Sequence, residues 1–255
     1  MTELSIRDVE YRHDGTRLLG LICVPGGERG AAQLPGVVLV HDAFGLSDEM
    51  VAIARRIAGL GFAVFAADVW GERVTPASER EIGPLIGSMA GERERWIRRV
   101  GLAFETAAAQ PEIGEAPLVG LGYCFGGSSV LEYARSGGST SAVIAIHPGL
   151  DLIDFDWSAV DPETAPQALV VFGADDPMAT PQQWREAKTA MTEAGVDWQL
   201  HLYSGTVHGF TSPKAAHSSN PAVIAYHPRN AQRAWRATEN FLLELRGARE
   251  EHQNR

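Results

Sequence analysis

The sequence predicts an α/β protein, a single domain with a mostly parallel central sheet and helices on both faces. Three observations predict it. Short apolar runs recur at positions 37–40, 62–67, 118–121, 142–146 and 168–172, as in strands covered on both sides. Stretches with helical periodicity separate them, and strands alternating with helices assemble a parallel sheet. At 255 residues, 45% hydrophobic and 21% charged, the chain has the material for one large core.

The elements follow in order. Residues 6–11 and 18–24 flank His13-Asp14-Gly15-Thr16, whose Asp-Gly pair is a turn signal, so the chain should open with a β-hairpin. Positions 25–36, rich in Gly and Pro, read as loop. The strand at 37–40 leads into His41-Asp42-Ala43-Phe44-Gly45-Leu46. Ser47 then caps a helix that points Met50, Val51, Ile53, Ala54, Ile57 and Leu60 inward and stops at Gly59 and Gly61.

After the strand at 62–67 and Asp68, residues 70–78 are loop. A helix at 79–89 should be broken by Gly83-Pro84. A longer helix covers 92–110, and Pro111 leads to the strand at 118–121. The strand at 142–146 is followed by an acidic, aromatic loop at 148–166. Beyond the strand at 168–172 come a helix at 181–194 and an alternating strand at 197–203. The connection 204–228 is long for structureless chain, and such loops tend to carry function. The last helix, 230–245, aligns Ala234, Trp235, Thr238, Phe241, Leu242 and Leu245, and 246–255 is a charged tail expected to fray. No repeat or linker divides residues 1–255.

Charge and cysteine content exclude several classes. A net charge of −10 without a cluster of Lys or Arg makes nucleic acid and anionic membrane poor partners. No apolar run approaches the ~18 residues of a membrane span. The start carries Glu3, Arg7, Asp8 and Glu10 where a secretory signal would be apolar. The two cysteines, Cys23 and Cys124, form no disulfide framework and no metal-type spacing. A cytoplasmic protein without metal or cofactor is the expectation, its oligomeric state left open.

Chemistry centres on residues 117–131. The apolar run at 118–121 meets Gly122-Tyr123-Cys124-Phe125-Gly126 and then a helix-opening segment. With serine in the middle this pattern is the nucleophile elbow of α/β-hydrolases, a strand-turn-helix that presents the nucleophile above the sheet edge. A thiol at a helix N-terminus gains thiolate character, so Cys124 is the candidate nucleophile. In the α/β-hydrolase order an acid and then a histidine follow, both in loops after strands. Asp175 is the candidate acid, with Asp176 as the neighbour that could replace it. His208 is the candidate base, because the other histidines precede the acid, sit within a strand or lie far along the loop. The backbone N–H groups of Phe125 and Ala43 are candidate oxyanion donors. Phe44, Trp70, Trp157 and Phe210 are candidate pocket walls, although each could equally be core. A redox role for Cys124 ranks low, since Cys23 in an early strand is a poor resolving thiol.

These segments resemble the dienelactone hydrolase family of α/β-hydrolases. Gly122-Tyr123-Cys124-Phe125-Gly126-Gly127 is similar to its cysteine elbow, Gly173-Ala174-Asp175 to its acid segment and His208-Gly209-Phe210 to its histidine segment. The resemblance implies a cofactor-free Cys124-His208-Asp175 triad that cleaves a small lactone, ester or thioester through an acyl-cysteine. It makes Asp42 the acid that modulates the thiol, one methylene shorter than the family's Glu. It also implies substrate contacts at Arg73 and at Ser212, the last standing where the family has an arginine, with Lys214 as a substitute; Phe44, Tyr123 and Phe210 are further candidate substrate contacts. The alternative is a non-catalytic small-molecule binding or sensing protein on the same scaffold.

Overall fold

In the two antiparallel strands that open the computed structural model, β1 (Leu4–His13) and β2 (Thr16–Pro25), the Asp-Gly turn works as its residue types dictate. Asp14 and Gly15 both take positive φ, 47° and 77°, as a tight two-residue hairpin requires. The structure describes residues 3–26 and 33–253; positions 27–32 of the expected loop at 25–36 lie outside them.

β2 pairs antiparallel with β4 (Ala63–Ala67), and from there the sheet is parallel through β3 (Gly36–Val40), β5 (Val119–Tyr123), β6 (Ala142–Ile146), β7 (Gln167–Gly173) and β8 (Asp197–Tyr203). The order across the eight strands is β1-β2-β4-β3-β5-β6-β7-β8. Every residue of β3, β4, β5 and β6 is buried. Alternation explains why continuous apolar runs were needed: Val38 and Val40 enter the core on one face, Val37 and Leu39 the core on the other. The first face is covered by α3 (Arg93–Ala108) and α4 (Phe125–Arg135), the second by α1 (Asp48–Ala58) and α6 (Pro228–Gln253).

Three local expectations are corrected. Ser47 occupies the N-cap position of α1 but its hydroxyl makes no capping bond; Asp48 and Glu49 in the first turn and Arg55 and Arg56 in the last complement the helix dipole instead. α2 (Glu79–Gly91) runs unbroken through Pro84. The preceding residue is Gly83, which has no Cβ to meet the proline ring and can therefore stay helical. α6 continues through the charged stretch to Gln253, where fraying was expected. α5 (Pro181–Glu193) starts at a reciprocal capping box between Thr180 and Gln183.

Candidate active site

The carboxyl ends of β3, β5, β6, β7 and β8 lie along one rim, and the loops leaving them carry Ala43, Cys124, His147, Asp176 and His208. Cys124 stands between β5 and α4 with φ 52° and ψ −118°. That conformation costs a side-chain-bearing residue about 1–3 kcal/mol and persists where its surroundings impose it. Here two glycines permit it. A Cβ on Gly122 would sit 2.1 Å from the Gly126 carbonyl oxygen, and one on Gly126 would sit 2.1 Å from the Val40 oxygen.

The Cys124 Sγ is 3.1 Å from His208 Nε2, and His208 Nδ1 is 2.9 Å from Asp176 Oδ2. Asp175, the expected acid, is corrected. Its side chain is exposed while its N–H donates to the Thr206 carbonyl, whereas Asp176 is 3% exposed. Successive side chains in a turn leaving a strand point to different sides, so a shift of one residue exchanges solvent for the site. Asp176 Oδ1 also accepts the Met178 N–H at 2.8 Å, an Asx turn that aims the other oxygen at the imidazole. An Asp that caps its own Asp-Pro turn was the available sequence signal for it.

His208 is fixed in turn. Its N–H donates to Val223 and its carbonyl accepts from Ala225, so the long 204–228 connection folds back and bridges at Ile224. Burial works against the imidazolium, but the charge of Cys124 and the hydrogen bond to Asp176 outweigh it and raise His208 to about 10. His147, also left-handed at φ 40°, packs its ring edge-on against His208 at 5.3 Å and meets Thr211 Oγ1 through Nε2 at 2.8 Å. Burial, and then the His208 charge, hold it well below the usual histidine value. The sequence reads His147 as a strand-ending histidine that could line the site, and it does line the cavity; its packing against His208 became visible in three dimensions.

Phe125 and Ala43 line the same cavity as Cys124, and neither N–H is taken up by another group among the described residues. Phe125 opens α4, where the first N–H groups have no helical partner. Trp70 braces this corner: its indole N–H donates to the Ala43 carbonyl at 3.2 Å and its ring lies 4.5 Å from that of Phe125.

The cavity holds about 490 Å³. Phe44 and Ser212 line it as expected, together with Ile82 and Ile86 from α2 and with Leu152 and Met178. Other expected contacts are corrected. Tyr123 and Phe210 are buried in the core on the α1 and α6 face, whereas Trp70 and Trp157, for which pocket wall and core were both open, are in the opposite core. Arg73 is a strut, its guanidinium bonded to the Leu19 and Gly20 carbonyls and to Asp8 at 2.7–2.9 Å, away from the cavity. Asp42 lines the cavity, but its carboxylate accepts the Phe44 N–H at 2.8 Å, while the hydrogen bond of the sulfur goes to His208. Burial pushes Asp42 up to about 6 against the pull of that N–H.

Among the described residues no group of His, Cys, Asp and Glu is placed to hold a metal, and no helix is long and apolar enough to cross a membrane.

Comparison with known proteins places these features in context. The sequence profile of the dienelactone hydrolase family matches residues 23–245. A protein of Aquifex aeolicus, provisionally named a carboxymethylenebutenolidase, is 24% identical over 92% of this chain and 96% of its own. The crystal structure of a dienelactone hydrolase-like promiscuous phosphotriesterase from metagenomic libraries superposes with a TM-score of 0.86 at 33% identity, covering 95% of this chain and 98% of that one. A cold-adapted esterase from an Arctic intertidal metagenomic library shares the fold at a TM-score of 0.61 and 16% identity, over 86% of this chain and 92% of its own.

Proposed function

The chain belongs to the dienelactone hydrolase family and is a hydrolase of that kind, and we propose that it cleaves a small lactone, ester or thioester through an acyl-thioester on Cys124. The contact of the Cys124 sulfur with His208 Nε2 at 3.1 Å, extended to Asp176, is the observation that carries this reading. Asp176 replaces Asp175 in the proposed triad.

The chemistry starts with the His208 imidazole in hydrogen-bond contact with the sulfur, placed to hold the thiol proton as the sulfur becomes the nucleophile. The sulfur attacks the carbonyl carbon. The resulting oxyanion receives hydrogen bonds from the Phe125 and Ala43 N–H groups, donors with no competing partner. As the intermediate collapses, the carbon–oxygen bond to the leaving group breaks and His208 hands its proton to the departing oxygen. Neutral His208 then takes a proton from water, whose hydroxide adds to the thioester carbon. The second intermediate expels the thiolate and releases the acid, restoring the starting pair. Asp176 holds the His208 tautomer throughout. A reducing compartment suits this free thiol, consistent with a cytoplasmic setting.

The purified protein should turn over a p-nitrophenyl ester, and acid quenching should trap an acyl mass on the tryptic peptide that contains Cys124. Cys124→Ala should lower kcat/KM by at least about 10³-fold with an unchanged thermal melt. An alanine variant as active as the parent overturns the mechanism.

A further inference from the structure

The cavity above Cys124 carries a charged cluster that the proposed triad does not use. Lys214, the one Lys or Arg lining the cavity among the described residues, places its Nζ 5.7 Å from the centroid of the Phe44 ring. That ammonium is already matched. Glu49, in the first turn of α1, has a carboxylate oxygen 3.9 Å from it, and the Ser212 hydroxyl donates to the same oxygen at 2.9 Å.

Glu49 does not itself line the cavity; the carboxylates that do are Asp42 and Asp151. Asp42 in the lining feels both charges: Glu49 raises its pKa and Lys214 lowers it, each by less than burial does. Arg73, the other cation expected here, is spent on β1 and β2. Away from this cluster, Ile82, Ile86, Leu152 and Met178 give the cavity an apolar lining.

A substrate carboxylate entering here would shed hydration, meet the carboxylates of Asp42 and Asp151 in the lining, and find a cation already paired with Glu49. An apolar chain would instead replace water against the isoleucines of α2. Resting on the hydrolase reading above, we propose that the substrate is an uncharged ester or lactone with an apolar chain, and that Glu49 enforces this choice by neutralising Lys214.

The test pairs p-nitrophenyl valerate with mono-p-nitrophenyl glutarate, which differ by a terminal methyl against a carboxylate. Rates are measured at low salt and corrected with Cys124→Ala. The parent should favour the valerate by about tenfold or more in kcat/KM. Glu49→Gln, which frees Lys214, should move that ratio about tenfold toward the glutarate, and Lys214→Met should move it a few-fold the other way. A parent that prefers the glutarate while remaining Cys124-dependent, or a ratio that neither variant moves, overturns this inference alone. Turnover of neither ester through Cys124 overturns the hydrolase reading and this inference with it.

Discussion

Helix α4 carries an ionisable side chain near each end, and the two sites are built differently. Near its C-terminal end Glu132 is fully buried with every lone pair spoken for: Arg135 reaches both oxygens at 2.7 Å, the Asp154 N–H donates at 2.8 Å, and Arg93 adds a further contact. At its start the half-buried Cys124 sulfur has a single hydrogen-bond partner among the described residues, His208, and lines the cavity. A buried ion whose partners are all internal works as a bolt, here tying α3 and the 148–166 loop to α4. A half-buried thiol with one side left open is available for chemistry.

The sharpest break of that comparison is at the open site. Asp176→Asn should lower kcat/KM on a p-nitrophenyl ester by about 10³–10⁴-fold, because the amide no longer favours the His208 tautomer or its charge. Asp175→Asn, one residue away and exposed, should stay within about twofold of the parent. Steady-state kinetics on both variants decides between the two carboxylates, and equal losses would sink the assignment of Asp176.

The bolted site should answer in stability. Glu132→Gln removes the buried carboxylate that Arg135 and the more exposed Arg93 pair with, and urea unfolding should show a loss of about 1–3 kcal/mol. Activity per folded molecule should remain within about twofold. A variant that melts like the parent but loses turnover would mean the two ends of α4 are not separable in this way.

The smallest effect concerns Asp42, raised from the ordinary carboxylate value to about 6 by burial. The native protein therefore holds a proton that the unfolded chain gives up. The stability this contributes is complete below about pH 3.8 and is lost as the pH rises through about 6. Asp42→Asn removes that dependence, so its melting temperature relative to the parent should be a few degrees better at pH 7.5 than at pH 4.5. An offset between the two melts that is the same at both pH values would show that burial leaves this carboxylate untouched.

Much of this molecule was legible along the chain. Continuous apolar runs named the buried strands, since a strand covered on both faces needs no polar alternation, and the Asp-Gly pair named the opening hairpin. Gly122 and Gly126 around Cys124 named the elbow, because a Cβ at either position would collide with backbone. These are local constraints, written within a few residues of where they act.

Only the tertiary structure decided the facts that depend on which way a side chain turns once distant segments meet. It set Asp176 against His208 and left Asp175 exposed, set Arg73 against β1 and β2, moved Tyr123 and Phe210 into the core, and brought Glu49 to Lys214 across 165 positions of the sequence. Residue type and spacing decide what can form locally. The direction of a carboxylate or a guanidinium is set by the partners that the folded sheet brings within about 3 Å of it.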